Sequence, residues 1–493
     1  MSCRTMDTTA NATGTGSATG LRAYLRALRD QTRDLLVVER EVEAGQETCS
    51  IVKALEPLGA PAVLFTAVRG SRWPVVMGLF GTRHRIAAMI GTDEGTALDR
   101  VLALQDGPLA DVEEVDDAPV QQWRRTGDEV SLADLPIAVH SRDDAAPYIT
   151  SGVIVARDPR TGLINTGMYR MMVLDERHVT VNAAPDHDLG RILAKAHHDG
   201  TTVPIAIVIG HHPAYLVASQ VKNPATVDSH RIAATLMGGP LRVAPALTVD
   251  LPVPADAEII IEGVIDPDAM SEEGPFGEFS YYYGATNAPV CTVQAVTART
   301  DAVFLDLHPT HREHLGLWLF PGREARFLQR VRESCPGVQR VRIPFHSGGL
   351  TAFISISKEH EGDGKQAILA GLAADHFLKQ IVVVDDDIDI FDDRRVLWAV
   401  AVRSQADADL VTLEGARGIK MDPSATAFTD RGRPDYVSAK AGVDATRRLH
   451  PRFPVAADLP HPGLEDLDAL AAFEGRDRRE LDGRWRHLLD FRE

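Results

Sequence analysis

Two glutamates separated by a short glycine- and proline-rich segment are the first candidates for chemistry. Glu273 and Glu278 enclose Gly-Pro-Phe-Gly, soon after an apolar stretch over 257–264. We expect a rigid turn that directs both carboxyl groups toward one point, where a drier environment can keep one acid protonated and leave the other charged. Such a pair can divide charge stabilisation and proton donation. The alternative is a solvated acidic turn, because Asp268 and Glu272 lie nearby.

A second candidate group is the segment Asn165-Thr-Gly-Met-Tyr-Arg170, whose pattern is typical of a strand. Asn165 can contact a metal or a phosphate, and Gly167 allows a ligand to approach the backbone. Because side chains alternate along a strand, Arg170 should point away from Asn165 unless a bulge intervenes. An arginine among apolar neighbours needs an anionic partner, either a substrate carboxylate or one of the glutamates. The alternative is an ordinary arginine of an edge strand.

Histidine and aspartate clusters offer a different chemistry. His308, His311 and His314 lie close together in the sequence, and Asp385-Asp386-Asp387 with Asp389 forms an acidic run. Together they could build a metal-dependent hydrolase, although the HExxH order of the zinc-protease helix is absent. The acidic run follows an apolar stretch over 381–384, where a solvated loop or a helix cap is common. A metal-dependent hydrolase is therefore an alternative function.

The elements that must position these residues fall into an N-terminal part and two larger parts. Residues 1–20 are rich in Ser, Thr, Ala and Gly, so we expect a disordered tail and not a secretion signal. Residues 21–118 are expected to form an N-terminal α/β unit. Its predicted elements are helices over 21–29 and 48–55, strands over 62–65 and 74–77, and a helix that ends near residue 88.

Residues 119–310 are rich in short strands with Gly, Pro and Asp turns, which predicts a barrel or a sandwich with extra helices. Of the two, we expect a split β-barrel-like domain. Residues 311–493 alternate between helices and strands, which predicts an α/β domain with a parallel sheet. The fold class is therefore α/β (α+β). The predicted central elements are strands over 149–156, 168–174, 178–182, 204–209, 257–264, 292–298 and 303–307 and a helix over 189–197. The predicted C-terminal elements are helices over 324–333, 365–376, 393–402, 464–476 and 479–489, the last two for oligomerisation, and strands over 350–357 and 381–384.

Composition limits the cellular setting and the partners. The chain has 493 residues, which suggests roughly two to four domains. No apolar run approaches the ~20 residues that span a bilayer, so no membrane partner is expected. The four cysteines are widely spaced, and neither a zinc site nor a disulfide framework follows. The net charge of −18 disfavours nucleic acid but not small acids, because a local Arg or Lys can reverse the field in a cleft. We expect a cytoplasmic protein.

The two motifs together resemble the UbiD family of prenylated-FMN-dependent (de)carboxylases. The pair that carries the resemblance is Asn165-x-Gly-x-Tyr-Arg170 and Glu273-Gly-Pro-Phe-Gly-Glu278. Further segments follow in the order of that family. They are Gly78-Leu-Phe-Gly-Thr-Arg83, residues 252–263, Asp386-Asp-Ile-Asp389 and Lys440-Ala-Gly-Val-Asp-Ala-Thr446.

The resemblance implies a reversible, non-oxidative decarboxylation of an α,β-unsaturated or (hetero)aromatic carboxylic acid. It would use prenylated FMN and begin with a 1,3-dipolar cycloaddition. Arg170, Glu273 and Glu278 would form the catalytic triad. Glu278 would deliver the proton, and Arg170, paired with Glu273, would orient the substrate carboxylate. The expected walls of the substrate pocket are Phe279, Leu317 and Trp318.

The same resemblance implies a set of cofactor contacts and a metal. A divalent ion (Mn or Mg, with K as a further ion) would hold the flavin phosphate through Asn, His and Glu ligands. Asn165 and His187 match the first two, but Ser229 stands at the expected Glu position, unless Asp228 or His230 replaces it. The expected cofactor-binding residues are Asn165, Gly167, Met168, Arg170, His187 and Lys440.

The implied partners are a small carboxylic acid as substrate and a flavin prenyltransferase as cofactor supplier. A homodimer or a higher homo-oligomer is expected, with the active site in the cleft between the central and C-terminal domains. A flavin-binding protein that has kept the fold and lost the chemistry is the non-catalytic alternative. The altered position at Ser229 favours that alternative, whereas the intact Arg170, Glu273 and Glu278 argue against it.

Overall fold

An apolar core runs through the N-terminal, central and C-terminal parts of the chain, from Leu21 to Ile419. The computed structural model describes residues 20–222, 226–430 and 433–454. The described residues from 20 to 449 pack as one unit, because the apolar faces of helices and sheets from every part are buried against one another. The tail predicted over 1–20, apart from Gly20, and the helices predicted over 464–476 and 479–489 lie outside the described residues.

The N-terminal part is an α/β arrangement around a small sheet. Its strand order is β1-β2-β3, with β16 (Phe304–Leu305) beside β3; β1 and β2 are parallel, and β2 and β3 are antiparallel. The predicted first helix ends earlier than expected, and a turn of π-helix over Leu28–Thr32 follows it. The elements are α1 (Leu21–Ala27), β1 (Leu35–Val38), α2 (Gln46–Ala54), β2 (Ala62–Phe65), β3 (Val75–Met77), α3 (Arg83–Met89), α4 (Ala97–Leu102) and β4 (Val112–Glu114).

The central part is built on a seven-stranded sheet. Its order is β10-β15-β14-β11-β7-β8, and β5 pairs with β15. Among the described strands no pairing joins the two ends, so the sheet is open and not a closed barrel. The elements are β5 (Trp123–Thr126), β6 (Tyr148–Ile149), β7 (Val153–Arg157), β8 (Ile164–Met168), β9 (Met171–Met172), β10 (His178–Thr180), α5 (Asp188–Asp199), β11 (Val203–Ile209), α6 (Pro213–Ser219), α7 (Ser229–Met237), β12 (Leu241–Pro245), β13 (Pro252–Pro254), β14 (Ile259–Gly277), β15 (Tyr283–Ala298) and β16 (Phe304–Leu305).

Three central predictions need correction. The strands predicted over 149–156 and 168–174 are each broken, because the chain leaves the large sheet and β6 and β9 form a separate two-stranded ribbon. The segment from Glu273 to Glu278 is not a tight turn. Residues 273–277 form the last part of β14, where the pairing with β15 shifts register between Glu273 and Phe276, and Glu278 directly follows the strand. Gly274 allows that shift with a φ of +116°, since a Cβ there would lie 2.6 Å from the Gly284 carbonyl oxygen.

The C-terminal sheet is mixed, whereas a parallel sheet was predicted. Strands β18, β19 and β22 are parallel, but β17, β20 and β21 pair antiparallel to their neighbours. The three antiparallel strands lack the buried apolar runs by which parallel strands are recognised in a sequence. The elements are α8 (Arg312–Leu319), α9 (Gly322–Ser334), β17 (Val338–Arg342), β18 (Thr351–Ile356), α10 (Asp363–Ala374), β19 (Gln380–Asp385), α11 (Asp393–Arg403), β20 (Leu410–Arg417), β21 (Thr426–Asp430) and β22 (Arg433–Ala445).

Short 3-10 turns connect several of these elements. No helix within the described ranges is both long enough and apolar enough to span a bilayer. The turns are Glu56–Leu58, Pro119–Gln121, Gly127–Glu129, Leu132–Asp134 and Phe345–Ser347.

Candidate active site

Arg170 occupies the break between two strands. β8 ends at Met168 and β9 begins at Met171, so Tyr169 and Arg170 lie outside both ladders. The carbonyl of Arg170 accepts the Asn182 N–H at 3.2 Å, which anchors the break to the segment after β10. The alternation of side chains expected from Asn165 to Arg170 therefore ends at Met168, because the chain changes sheets there.

The Arg170 guanidinium binds both glutamates of the predicted pair. Its Nε donates to Glu273 Oε1 at 2.9 Å and its Nη2 donates to Glu273 Oε2 at 2.8 Å, while Nη1 contacts Glu278. The Glu273 side chain is fully buried, and Glu278 is 8 % exposed. The two-nitrogen contact fixes the plane of the guanidinium, whereas the contact with Glu278 uses one nitrogen. The solvated acidic turn considered above is not what the structure contains.

Glu273 has a further partner that the sequence did not reveal. The side-chain amide of Asn182 donates to Glu273 Oε2 at 2.7 Å. Asn182 follows β10, far from both motifs in the sequence, and no local pattern marks it. Arg170 donates to both carboxylate oxygens of Glu273, and Asn182 donates to one of them. The buried Glu273 carboxylate therefore has the hydrogen-bond donors that a buried charge requires.

A small apolar cluster of Tyr148, Met172 and Phe276 lies under the guanidinium. The Arg170 Cζ is 4.7 Å from the centroid of the Phe276 ring, and the Phe276 and Tyr148 ring centroids are 4.4 Å apart. Burial, followed by the charge of Glu273, raises the pKa of Tyr148, so its phenol stays neutral. Burial alone would lower the pKa of Arg170, but Glu278 and Glu273 outweigh it and raise that pKa. Arg170 is a permanent cation in this site.

Two ionisable residues near the triad were not predicted to lie at this site. Lys420, after β20, is half-buried, and burial followed by the charge of Arg170 lowers its pKa. His314, in α8, is half-buried, and its Nδ1 lies 3.1 Å from the Pro309 carbonyl oxygen. Burial lowers the pKa of His314, which favours a neutral imidazole near Glu278. Both come from segments distant in the sequence, so only the fold brings them to Arg170.

Aromatic residues form a wall beside Glu278. The Phe279 ring centroid lies 4.8 Å from that of Trp318, and Trp318 lies 5.2 Å from Phe377. The Arg323 guanidinium stacks over both Trp318 and Phe377. Leu317, the neighbour of Trp318 in α8, is buried in the main core. The structure therefore brings Phe279 and Trp318 together next to the triad, and Phe377 and Arg323 join them from the C-terminal part.

The predicted flavin contacts lie near β8. Asn165, Gly167 and Met168 are all in this strand, which pairs with β7. The Tyr169 ring folds back over Gly167, where a Cβ would lie 2.7 Å from the ring, and its centroid is 6.1 Å from that of His187. His187 begins α5 as its N-cap residue. Burial, followed by the positive charge of Lys222, lowers the pKa of His187, which keeps a ring nitrogen free to bind a ligand.

The side chains around Asn165 do not form a complete set of metal ligands. Asp228 caps α7 and its Oδ2 accepts the Ile164 N–H at 3.1 Å, so Ser229 lies beside the strand of Asn165. The other Asp228 oxygen accepts the His230 N–H, and the His230 ring is buried against Tyr215. Within the described ranges no three His, Cys, Asp or Glu side chains are arranged to hold a metal. The side chains at this place do not by themselves fit a divalent ion.

Lys440 fits an anionic ligand. It is 4 % exposed in β22, and its Nζ donates to the His376 carbonyl oxygen at 3.0 Å. Among the described residues no carboxylate lies within ion-pair distance of it, and burial lowers its pKa. A buried ammonium without an acidic partner is costly. Arg417 on the neighbouring β20 reaches Asp186, next to His187, at 3.4 Å, so this end of β22 lies near the start of α5.

Several members of the histidine and aspartate clusters make structural contacts. His311 caps α8, and its Nδ1 accepts the Glu313 N–H at 3.0 Å. Asp385 and Asp387 are bound by Arg403 at 2.9 Å and 2.8 Å. The two clusters lie in different parts of the fold and do not combine into a metal-holding group in the part of the chain that the structure describes. The geometry therefore gives no support to a metal-dependent hydrolase.

Comparison with protein families gives three matches in consecutive order. Residues 26–105 match the N-terminal domain of 3-octaprenyl-4-hydroxybenzoate carboxy-lyase, the family called UbiD. Residues 112–311 match its Rift-related domain, and residues 319–445 match its C-terminal domain.

Individual relatives are similar over most of their length. An anhydromevalonate phosphate decarboxylase of Methanothermobacter thermautotrophicus is 36% identical over 420 residues, which cover 84% of this chain and 95% of that protein. The UbiD-class enzyme HmfF of Pelotomaculum thermopropionicum, solved with FMN, has a TM-score of 0.85 and 37% identity, covering 92% of this chain and 99% of HmfF. An evolved dimeric form of HmfF with prFMN has a TM-score of 0.80 and 35% identity, covering 94% and 99%.

Proposed function

The chain belongs to the UbiD family and is a decarboxylase of that family, and from this premise we propose that it acts on an unsaturated or aromatic carboxylic acid with prenylated FMN. The reaction is non-oxidative. The bond between the carboxyl carbon and the substrate carbon breaks, carbon dioxide leaves, and one proton replaces it. The same residues can act in the reverse direction when carbon dioxide is abundant.

The observation that carries the proposal is the arrangement of Arg170 between Glu273 and Glu278. Glu273 holds the guanidinium through two nitrogens, at 2.9 Å and 2.8 Å, whereas Glu278 contacts one nitrogen. A substrate carboxylate can therefore replace Glu278 at Nη1 without disturbing the contact with Glu273. Displaced from the guanidinium, Glu278 is free to carry the proton that the substrate carbon receives.

The surroundings of Glu278 favour this role. Its N–H donates to the Tyr282 carbonyl and its carbonyl accepts the Tyr281 N–H, both at 2.9 Å, so its backbone is fixed. Phe279 and Trp318 form an apolar wall on which an aromatic or unsaturated acid can lie. Exclusion of water by that wall strengthens the electrostatic contacts of Arg170.

The cofactor would supply a reactive dipole for the carbon–carbon double bond and a sink for the electron pair left by carbon dioxide. Lys440, buried without a carboxylate, would hold its phosphate, and Asn165, Gly167, Met168 and His187 would surround it along β8. Any divalent ion there would depend on phosphate oxygens and water in addition to Asn165 and His187, since Ser229 replaces the carboxylate.

The substrate class rests on chemistry shared with the relatives. The name of the Methanothermobacter relative gives anhydromevalonate phosphate as its substrate, and the HmfF structures contain FMN and prFMN. We infer an α,β-unsaturated or (hetero)aromatic acid, a flavin prenyltransferase as the source of the cofactor, and a homodimer as the basic assembly.

Decarboxylation in D₂O tests this function. The cofactor-loaded protein is incubated with a panel of cinnamic-type, polyenoic, phenolic and furoic acids, and carbon dioxide and product are analysed by mass spectrometry. We expect release of carbon dioxide from at least one acid, with one deuteron on the carbon that carried the carboxylate. Glu278→Gln should reduce this rate at least 100-fold, whereas Glu272→Gln, an exposed neighbour, should not. Full activity of Glu278→Gln contradicts the assigned proton donor.

A further inference from the structure

A cavity of about 520 Å³ lies between α2 and the loops that carry His140 and His308. Its volume is in the range of small-molecule sites. Neither Arg170 nor the two glutamates of the triad are among its lining residues. The cavity therefore needs an explanation separate from the triad.

The lining of this cavity has a positive balance. The basic side chains of the lining are Lys53 and Arg142, and no lining side chain is acidic. Lys53 is already paired with Glu56 at 3.0 Å, so Arg142 supplies the unpaired charge. Arg142 is exposed, and no hydrogen bond or ion pair joins it to another described residue. Ser50 and Thr310 add hydroxyl groups. In a chain with a net charge of −18, a cavity lined by cations and hydroxyl groups is suited to an anion.

Two buried histidines in the lining each have a ring nitrogen without a hydrogen-bond partner. His140 Nε2 lies 3.0 Å from both oxygens of Asp306, but neither its Nδ1 nor the Nδ1 of His308 has a hydrogen-bond partner among the described residues. His140 is 3 % exposed and His308 is 6 % exposed. Buried polar atoms in folded proteins are usually paired, and these two nitrogens are free to bind a ligand. Burial lowers the pKa of His140, but the Asp306 carboxylate outweighs burial and raises it, which favours a cationic ring.

The cavity borders the segment that carries Glu278 on both sides of that residue. Asp144 accepts the Ser141 N–H at 2.7 Å and the Gly277 N–H at 2.8 Å, which joins the 140–142 loop to the residue before Glu278. Lys53 Nζ lies 3.3 Å from the Tyr281 hydroxyl and 5.1 Å from the centroid of its ring. Tyr281 follows Glu278 by three residues and has a φ of +66°, a conformation that a tyrosine adopts only where its surroundings hold it.

We propose that this cavity, the α2 cavity, binds an anionic group, a carboxylate or a phosphate, through Lys53, Arg142, His140 and His308. One part of this proposal rests on the proposed function: a substrate with a second, remote anionic group can place that group in the α2 cavity, past the segment that carries Glu278. A free anion of the same chemistry is the other source. In both cases the cations and the unpaired imidazole nitrogens supply the donors.

Binding of inorganic phosphate and of succinate to the full chain, in the presence of excess FMN to occupy any flavin site, tests the anion site. Calorimetry should show that Arg142→Ala and Ser50→Asp each weaken binding of at least one probe tenfold or more, which is about 1.4 kcal/mol. Arg160→Ala, an exposed arginine in a distant turn, should bind like the wild type. Both variants change exposed side chains, so folding is expected to persist and is checked by circular dichroism. Absence of binding by the wild type, or equal binding by all four proteins, overturns the proposal.

A pair of substrates identifies the source of the anion. An unsaturated diacid and its remote half-ester are compared as substrates of the wild type and of Arg142→Ala. If the substrate's remote group occupies the cavity, kcat/KM of Arg142→Ala should fall at least tenfold for the diacid and stay unchanged for the half-ester. If Arg142→Ala changes kcat/KM equally for the diacid and the half-ester and also weakens phosphate binding, the site binds a free anion. That result still supports an anion site in the α2 cavity. Because phosphate binding requires no turnover, its loss is distinguishable from failure of the proposed function.

Discussion

Arg170 and Glu273 are joined by two hydrogen bonds, Nε to Oε1 at 2.9 Å and Nη2 to Oε2 at 2.8 Å, from positions 103 residues apart in the chain. The Glu273 side chain is fully buried, and 14% of the Arg170 side chain is exposed. This pair fixes the guanidinium in a plane and leaves its remaining nitrogen for a carboxylate. The function we propose requires that Glu273 stays bound to Arg170 while the substrate carboxylate replaces Glu278.

Glu273→Ala should destabilise the protein strongly. It removes the carboxylate but leaves the mostly buried Arg170 charge, and breaking a buried pair in this way costs about 3–5 kcal/mol. Thermal unfolding should show a clear fall in the midpoint temperature. Glu272→Ala, which removes an exposed neighbour, is the matched control and should unfold like the wild type. Equal midpoints for all three proteins would show that the pair contributes no stability.

Asn182 should act as a positioning residue. Asn182→Ala removes the 2.7 Å bond to Glu273 Oε2, and loss of a bond to a charged group costs about 1.5–3 kcal/mol. We expect kcat to fall roughly 10- to 100-fold with KM changed much less, because the guanidinium loses its orientation. Asn182→Gln, which keeps an amide, should recover part of kcat. A loss of thermal stability with unchanged kcat would make Asn182 a purely structural residue.

Lys440 and β8 should control cofactor retention. Lys440→Met leaves the site without its buried ammonium, so FMN affinity should fall roughly 10- to 100-fold, in line with a charged hydrogen bond. Asn165→Ala and His187→Ala should also lower occupancy. Fluorescence titration with FMN measures the affinities, and Lys195→Met, an exposed lysine paired with Asp199, is the control. Unchanged affinity in all three variants would place the phosphate elsewhere.

Glu313 should make the folded chain less stable as the pH rises from about 6.5 to 8. Burial raises the pKa of Glu313 to about 8, whereas the pKa of a glutamate in the unfolded chain is about 4.3. Between these values the folded chain keeps a proton that the unfolded chain has released. The free energy of unfolding therefore falls with pH, by up to about 1.4 kcal/mol per unit.

Other titrating groups define that pH window. Burial lowers the pKa of His311 and His230 to about 4, so they make stability rise with pH only up to about 6.5. Glu313→Gln keeps an acceptor for the His308 N–H at 3.1 Å and removes the proton. Its midpoint temperature should change less between pH 6.5 and 8.0 than that of the wild type. Glu333→Gln, at an exposed position, should behave like the wild type; identical pH dependence in Glu313→Gln would contradict the assignment.

The sequence predicts some parts of the fold and not others, for physical reasons. Helices α2, α5, α9 and α11 and strands β2, β11 and β19 were predicted to within a few residues, because their apolar periodicity is local. The strand from Ile149 and the strand to Leu174 were predicted as continuous, since the change of sheet at their breaks depends on pairing partners elsewhere in the chain. The antiparallel strands of the C-terminal sheet were missed because they are largely polar.

The candidate site shows the same limit. Arg170, Glu273 and Glu278 were named from two motifs, and the structure brings them into contact. Asn182 and Lys420 were not named as site residues, and His314 was named only for the alternative metal site, because each reaches the triad only through long-range folding. The third metal ligand expected at Ser229 finds no replacement in Asp228, whose carboxylate caps α7.

Identification of the bound small molecule is the sharpest test of whether this decarboxylase uses prenylated FMN. The chain is co-expressed with a flavin prenyltransferase, and the released molecule is examined by absorbance and mass spectrometry. We expect prenylated FMN, at an occupancy that Lys440→Met lowers and Glu278→Gln leaves unchanged. A folded protein that contains no flavin although the cofactor is supplied would show that the chain does not use prenylated FMN.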